Sequence, residues 1–222
     1  MPSQPISDDV LREKYAKQGE TTAEEIFQRV ARALASVERK PEAWEHRFLD
    51  ALRRGFIPAG RIMSAAGTDI QATLLNCFVQ PVGDSISEPD QDGKPGIYVA
   101  LQESAETMRR GGGVGYDFSR IRPKGAKVQG TASNASGPIS YMRVFDRSCE
   151  TVESAKSQRK TQIGILRCDH PNIEEFIHAK DRTGELTNFN ISVAVTNPFI
   201  QAVEADGLWA LTHPAEPCTA QQ

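Results

Sequence analysis

Near the N-terminus, apolar side chains recur with the spacing of an amphipathic helix. Ile26, Val30 and Leu34 repeat every four residues, so all three would lie on one face of a helix. Thr22 and Glu25 precede them with the residue types and the spacing of a capping box, in which each side chain accepts a hydrogen bond from the other residue's backbone N–H. The pattern predicts a helix that begins directly after Thr22.

Two more helices complete the predicted N-terminal region. A polar helix is expected over residues 8–17, and an amphipathic helix begins at Pro41, because proline suits the first turn of a helix. Gly55 can end this second helix in a left-handed conformation, which glycine adopts without strain. We therefore predict a helical N-terminal domain over residues 1–70.

Beyond Pro58 the pattern changes to short apolar strands separated by helices. Residues 189–195 alternate strictly between apolar and polar positions, which is typical of a strand. Strands separated by helices of ordinary length indicate parallel β-α-β units, so this part of the chain is predicted to be α/β. The predicted strands cover residues 74–79, 162–167, 189–195 and 208–211, and the predicted helices cover residues 97–110, 138–154 and 169–180.

Composition restricts the class of protein. The 222 residues carry a formal net charge of −3, which argues against general nucleic-acid binding. No apolar run approaches the ~20 residues that span a bilayer, and the first residues lack the basic and apolar stretches of a secretory signal. We therefore expect a cytoplasmic protein that has no membrane or nucleic-acid partner.

The four cysteines form no C-x-x-C pair, and neither they nor the four histidines have the spacing of a metal site. In a reducing compartment each cysteine is either a buried core residue or a reactive thiol. Cys77 lies in an apolar segment, and Asp84 follows it seven residues later. A carboxylate such as Asp84 can accept hydrogen bonds from ribose hydroxyls or can cap a turn, and both interpretations stay open.

A glycine-rich run at residues 111–115 is followed by a cluster of positive charge. The run lacks the third glycine of the dinucleotide fingerprint, and it follows a predicted helix rather than a strand. It is either a helix end followed by a flexible turn or a stretch of backbone that approaches a ligand closely. The basic cluster suits phosphate oxygens, although a solvated loop is the commoner case. It consists of Arg120, Arg122, Lys124 and Lys127.

Five longer motifs, in this order along the chain, carry a specific resemblance. They cover residues 75–79, 111–125, 135–142, 168–177 and 186–193. From about residue 7 to about residue 214, the chain resembles the N-terminal part of ribonucleotide reductase catalytic subunits, and it is most similar to the adenosylcobalamin-dependent class. The resemblance implies an α/β fold, in which a helical N-terminal domain precedes the first half of a ten-stranded α/β barrel. We assign residues 71–213 to the barrel half and residues 214–222 to a disordered tail.

The resemblance also implies roles for individual residues. Cys77 falls on the family's redox-active cysteine, one of two thiols that reduce the ribose and become a disulfide. Residues 153–163 fall on the loop that relays effector identity, but they carry Lys and Gln where the family tends to have Gly and Arg. The implied substrate-binding residues are Asn76, Gly112, Gly113 and Asn188, and the implied effector-binding residues are Asp84, Arg122, Lys127, Arg159 and Gln162.

The family's radical cysteine, in an N-x-C-x-E motif, does not occur in this sequence, and neither does its second redox cysteine. We therefore expect the smaller, N-terminal chain of a split reductase, inactive without a complementary chain that carries the radical cysteine and with which adenosylcobalamin is mainly bound. The other expected partners are a ribonucleotide substrate, deoxynucleoside triphosphate effectors, a thioredoxin-type reductant and a second copy of this chain at the effector site. The alternatives are a non-catalytic deoxynucleotide-binding module and an inactive truncated product.

Overall fold

The computed structural model describes residues 4–128, 130–131, 133–152 and 162–215. Its contacts divide the chain into two compact units, Met1–Asn76 and Cys77–Gln222. The first unit is helical and the second is built on a parallel sheet, which confirms the predicted succession of a helical domain and an α/β domain. The predicted boundary after residue 70 lies a few residues before this division, and most of the predicted tail lies outside the described residues.

The described residues of the helical unit form four α-helices and one π-helical turn. The predicted capping box is confirmed, because Thr22 Oγ1 accepts the N–H of Glu25 at 3.3 Å and the Glu25 carboxylate accepts the N–H of Thr22 at 3.0 Å. The sequence pattern does not predict α4, whose 6 residues are too few to show a helical period. The elements are α1 (Pro5–Val10), the π-helical turn (Leu11–Tyr15), α2 (Ala23–Ala35), α3 (Pro41–Arg53) and α4 (Gly60–Ala65).

Arg29 on α2 is a largely buried charge of this unit. Its Nε donates to the Glu20 carboxylate at 2.7 Å, and its Nη2 donates to the carbonyls of Tyr15 at 3.1 Å and Met63 at 3.0 Å. A buried cation is tolerated only when it is paired and hydrogen-bonded in this way. The guanidinium therefore ties α2 to α4 and to the π-helical turn.

The second unit contains four parallel strands in the order β1-β2-β3-β4, so each strand lies beside the next one in the chain. Because all four strands are parallel, their amino ends line one side of the sheet, called here its amino edge, and their carboxyl ends line the opposite side, its carboxyl edge. At that edge the register aligns Cys77 with Gly113, and Gln162 with Val114 and Phe189. The strands are β1 (Cys77–Gln80), β2 (Gly113–Asp117), β3 (Gln162–Arg167) and β4 (Phe189–Ala194), and the helices are α5 (Ile97–Arg109), α6 (Pro138–Thr151), α7 (Ile173–Ile177) and α8 (Asn197–Glu204).

Within this unit, the described helices cover only one face of the sheet. The covered face carries Val114, Tyr116 and Leu166, which share one core with side chains of α5 and α6. The opposite face carries Cys77 and Val79, and Val79 is 88% exposed. Parallel sheets are as a rule buried on both faces. The uncovered face is therefore the unusual feature of this unit.

The glycine run ends a helix and begins a strand. Gly111 has a φ of +90°, and the N–H groups of Gly111 and Gly112 donate to the carbonyls of Met108 at 2.8 Å and Thr107 at 2.9 Å. These two bonds form the Schellman motif that closes α5. The helix end is thus observed, but the flexible turn that one alternative placed after it is not, because Gly113–Asp117 is strand β2.

Two other predicted elements differ in the structure. Residues 208–211 form no strand, and the Trp209 indole in that stretch instead donates to the carbonyl of Cys168 at 3.1 Å. The helix predicted over residues 169–180 is reduced to Ile173–Ile177, because the residues on both sides of it form turns. Apolar composition alone therefore overstates the regular structure near the end of the described chain.

Alanine substitutions at Gly112 and Gly115 compare two effects on the free energy of unfolding: the overpacking of a crowded site and the loss of glycine's backbone freedom. Apart from chain neighbours, a Cβ on Gly112 would lie 2.8 Å from the Phe78 ring and from Thr107 Cγ2, whereas a Cβ on Gly115 would meet no atom nearer than 3.9 Å. We expect Gly112→Ala to lower the free energy of unfolding by about 1–3 kcal/mol through overpacking. Gly115→Ala should change it by less than about 1 kcal/mol. Urea unfolding checks both values, and equal destabilisation would contradict this account.

Candidate functional site

Cys77 is the first residue of β1, which is an edge strand of the sheet. It is exposed, whereas Cys149 and Cys168 are 4% and 3% exposed and lie in the interior. Side chains alternate along a strand, so Cys77 lies on the same face as Val79, which is the uncovered face. Among the described cysteines, Cys77 is therefore the one that a substrate or a reductant could reach.

The backbone of β2 is bare beside the thiol. Gly113 is the register partner of Cys77, and Gly115 follows on the same face, where a Cβ would meet Ile163 Cβ and the Phe78 carbonyl oxygen no nearer than 3.9 Å. This arrangement supports the interpretation of close backbone approach to a ligand for Gly113 and Gly115. Gly112 is different, because it is buried and packs against Phe78, where a side chain would not fit.

The two asparagines implied for substrate binding are each held by a hydrogen bond. Asn76 Oδ1 accepts from Arg61 Nε at 2.8 Å within the helical unit. Asn188 directly precedes β4, and its N–H donates to the Asp146 carboxylate at 2.9 Å. Asp146 lies on α6 and is only 4% exposed. The sequence reasoning misses Asp146, although a carboxylate three residues before the buried Cys149 on an apolar helix face is a signal that could have found it.

Gln162 is fully buried at the amino end of β3. Its Oε1 accepts from the Tyr116 hydroxyl at 2.8 Å, and its Nε2 donates to the carbonyl of Phe145 at 3.3 Å. Its own N–H donates to the carbonyl of Asn188 at 2.9 Å, and burial raises the pKa of the Tyr116 phenol well above its usual range. The side chain of Gln162 is thus engaged in the core. Arg159, the other residue implied for the relay loop, lies outside the described residues.

The structure brings Asp84, Arg122 and Lys127 together beyond the carboxyl ends of β1 and β2. The Asp84 carboxylate accepts the backbone N–H of Arg122 at 2.7 Å and its Nε at 2.9 Å. Nη1 of Arg122 donates to the carbonyl of Lys127 at 2.9 Å. The Asp84 and Arg122 side chains are each 24% exposed. These three residues, called the effector cluster after the role that the resemblance implies for them, are therefore held together, and they lie at the opposite edge of the sheet from Cys77 and Gln162.

Part of the effector cluster remains open to a ligand. Within residues 4–128, 130–131, 133–152 and 162–215, neither Nη2 of Arg122 nor the Lys127 ammonium has a hydrogen-bond partner. A guanidinium that is fixed at two nitrogens and open at the third suits a phosphate oxygen. Arg120 differs, because it pairs with Asp90 at 2.8 Å and also with Asp92. Its charge holds the loop that carries those two residues.

The two units match two domain models of one family. Residues 3–71 match the all-alpha domain of ribonucleotide reductase, and residues 75–222 match the barrel domain of ribonucleotide reductase. The chain therefore belongs to the ribonucleotide reductase large-subunit family. None of the described helices is both long enough and apolar enough to cross a membrane.

Individual relatives agree with the family match. A vitamin B12-dependent ribonucleoside-diphosphate reductase of Mycobacterium tuberculosis is 37% identical over 218 residues, which cover 92% of this chain and 30% of that protein. A reductase of the same name from Thermoplasma acidophilum is 39% identical over 160 residues, which cover 72% of this chain and 20% of that protein. The class Id ribonucleotide reductase alpha subunit of Actinobacillus ureae shares the fold, with a TM-score of 0.70 at 21% identity over 91% of this chain and 35% of that chain. This chain thus spans about a third of the length of such relatives.

Alkylation of the folded chain should modify Cys77 well before Cys149 or Cys168. Cys77 is exposed, whereas a buried thiol reacts only when the structure opens. After brief iodoacetamide treatment, we expect peptide mass mapping to show Cys77 modified at least roughly tenfold more than the two buried cysteines. The urea-unfolded chain is the control, because there all cysteines should react alike. Equal protection of Cys77 and Cys149 in the folded chain would contradict the assignment.

Proposed function

We propose that this chain supplies one redox cysteine, part of the substrate site and the effector-specificity site of an adenosylcobalamin-dependent ribonucleotide reductase. The observation that carries the proposal is the exposed Cys77 beside the bare backbone of Gly113 on the uncovered sheet face. A reducing thiol needs access, and a ribose needs room next to it. The exposed Cys77 beside Gly113 meets both requirements, and the resemblance to the family places its redox cysteine at the same residue.

The proposed reaction replaces the 2′-hydroxyl of a ribonucleotide by hydrogen. Cys77 and a second cysteine, from outside these residues, each give up one hydrogen and join in a disulfide, while the hydroxyl leaves as water. Two electrons and two protons pass from the thiols to the substrate and its leaving group, so this step needs no further reductant. A thioredoxin-type dithiol then reduces the disulfide by thiol–disulfide exchange.

We assign Asn76 and Asn188 to hydrogen bonds with the substrate and Gly113 to close backbone approach. Arg61 holds Asn76, and Asp146 holds Asn188, so neither asparagine needs to be ordered when the substrate binds. Gly112 acts indirectly in this proposal. Its N–H closes α5, and the end of α5 determines where β2 begins and therefore where Gly113 lies.

We assign Asp84, Arg122 and Lys127 to a deoxynucleoside triphosphate effector. The open Nη2 of Arg122 and the Lys127 ammonium would meet phosphate oxygens, and the remaining lone pairs of the Asp84 carboxylate would meet the sugar. The Gln162 side chain is bonded within the core. We therefore assign it an indirect part in the effector response, in which it holds the start of β3 in place and does not touch the nucleotide. Arg159 and a second copy of this chain complete the proposed effector site.

Adenosylcobalamin enters the proposal through the relatives that are named vitamin B12-dependent. When bound, it supplies the radical that starts the reaction. The buried His170 and His213 do not fit as ligands of a corrinoid, because each bonds to the backbone through both ring nitrogens. We therefore place the cofactor mainly with a complementary chain.

The complementary chain would carry the radical cysteine and the second redox cysteine. The four-stranded sheet supports this inference, because it has one uncovered face and two strand edges that a parallel sheet normally does not leave open. Relatives about three times as long have room for the missing elements in one polypeptide. In this proposal the chain is inactive without that partner.

A non-catalytic deoxynucleotide-binding module is the second candidate function. The effector cluster favours it, because Asp84, Arg122 and Lys127 are assembled at the edge of the sheet that is remote from Cys77. Nucleotide binding there would not require the thiol. The two experiments that follow separate the candidates.

Replacing Cys77 by serine tests the catalytic proposal. Together with a chain that carries the N-x-C-x-E motif, adenosylcobalamin and a thioredoxin system, the wild type should form deoxynucleotides. Cys77→Ser should reduce turnover by at least roughly 10³-fold, because serine cannot form a disulfide. Cys218→Ser is the matched control and should keep near-normal turnover. A Cys77→Ser assembly as active as the control would refute the assignment and favour the binding module.

Replacing Arg122 by alanine tests the effector site. We expect the affinity for dTTP or dATP, measured calorimetrically in the assembly, to fall roughly 10- to 100-fold, because a charge-assisted phosphate contact is lost. Arg167→Ala is the matched control, since Arg167 lies at the same edge of the sheet but pairs with Asp169. Unchanged nucleotide affinity in Arg122→Ala would contradict the site.

A further inference from the structure

The segment that carries Arg122 is irregular, and yet four of its side chains are buried. It follows β2, and its Phe118, Ile121, Pro123 and Ala126 are all buried. Buried backbone that belongs to neither helix nor sheet must find other hydrogen-bond partners for its N–H and C=O groups. In this segment, side chains from distant parts of the chain provide them.

Two buried histidines hold the carbonyls that directly precede Arg122. His213 Nε2 lies 3.2 Å from the carbonyl of Arg120, and His170 Nε2 lies 2.9 Å from the carbonyl of Ile121. The other ring nitrogen of each histidine, Nδ1, accepts a backbone N–H, at 3.1 Å from Ala215 and at 3.0 Å from Asn172. Because Nδ1 accepts, the proton of each neutral ring must be on Nε2, where it can be donated to the carbonyl.

The turn that contains His170 also holds the chain beyond Arg122. Asn172 Oδ1 accepts the N–H of Lys124 at 2.9 Å. The backbone N–H of Arg122 itself donates to Asp84. The backbone is therefore fixed before, at and after Arg122, and the direction of its guanidinium depends on these side-chain contacts.

The two imidazoles pack against each other. Their ring centroids are 5.3 Å apart in an edge-to-face arrangement, and the residues are 1% and 9% exposed. The charged groups that face His170 are Asp117 and Asp169, and those that face His213 are Asp84 and Arg122. Burial lowers the pKa of both imidazoles despite the nearby carboxylates. Both rings are therefore neutral at pH 7, as the hydrogen bonds require.

We propose that His170 and His213 are positioning residues for Arg122, and that their neutral rings hold its guanidinium against Asp84 in the orientation that meets a nucleotide phosphate. The role of the nucleotide depends on the function proposed above, whereas the positioning of Arg122 does not. Protonation would place a proton on Nδ1, which would then face a backbone N–H instead of accepting from it. It would also place two cations side by side, next to the Arg122 charge.

The sign of the pH dependence follows from the lowered pKa values. The neutral contacts are fully present above about pH 6.5, the ordinary histidine value. They are lost as the pH falls through the lower values of the folded chain. Arg29 is a suitable reference, because among the described residues it bonds to the Glu20 carboxylate and to the carbonyls of Tyr15, Met63 and Ala66, and to no histidine. Acid should therefore loosen Arg122 and leave Arg29 unaffected.

Solvent exchange of arginine Nε–H groups in the folded full chain, measured by nitrogen-15 NMR without nucleotide, tests the proposal. The measured quantity is the exchange rate of Arg122 Nε–H divided by that of Arg29 Nε–H, which is bonded to Glu20. The ratio removes the intrinsic pH dependence of exchange. We expect it to be constant above about pH 7 and to rise roughly five- to tenfold as the pH falls through the lowered pKa values of the two imidazoles. A ratio that does not change with pH would overturn the proposal.

Variants of His213 separate positioning from mere bulk. His213→Gln keeps a donor that can reach the Arg120 carbonyl but does not titrate, so the ratio should stay near the wild-type value at pH 7 and rise less in acid. His213→Leu removes the donor at similar volume and should raise the ratio roughly five- to tenfold at pH 7. His178→Gln is the control, because this exposed histidine pairs only with Asp181 among the described residues.

The outcomes are distinct. A folded His213→Leu chain with an unchanged ratio would overturn the proposal. If that variant does not fold, the wild-type pH series and the His213→Gln series decide the question. If the wild type did not bind dTTP at any pH, the proposed effector function would be wrong. The exchange ratios would still decide whether the histidines position Arg122.

Discussion

The pairing of Cys77 with Gly113 across the first two strands is the constraint on which the proposed chemistry depends. A shift of one residue in this register would turn Cys77 onto the helix-covered face and expose Phe78 in its place. Two features fix the register. The Schellman closure of α5 determines where β2 begins, and the Phe78 ring fills the space above Gly112 that a side chain would need. An aromatic ring and a glycine thereby decide where the thiol lies.

The sheet separates two sets of polar residues by the length of its strands. Strands of four to six residues span roughly 13–20 Å. At the amino edge, buried Asp146 and Gln162 hold the backbone of Asn188, and at the carboxyl edge Asp84 holds Arg122. Both arrangements place side chains against irregular backbone, which satisfies polar groups that no regular ladder reaches. Among the described residues, the two sets of polar side chains therefore lie at opposite ends of the strands.

Local pattern predicted much of the fold, and the reasons for its failures are physical. The Thr22 cap and the alternating strand at β4 depend on neighbouring residues, so the sequence displays them directly. The sequence pattern did not predict strand β2, because two of its five residues, Gly113 and Gly115, carry no side chain and only Val114 and Tyr116 show its period. The resemblance identified Cys77, but its exposure follows only from the sheet. The contacts of His170 and His213 join residues 49 and 93 positions apart, and no local pattern records such pairs.

We propose that Cys77 gives up its hydrogen and joins a disulfide when a ribose is reduced. The most direct measurement is a single turnover of the assembled enzyme without external reductant, followed by acid quenching, alkylation and mass spectrometry of the Cys77 peptide. We expect about one disulfide between Cys77 and a cysteine of the complementary chain for each deoxynucleotide formed. Deoxynucleotide formed in equal amount while Cys77 remains a free thiol would contradict it.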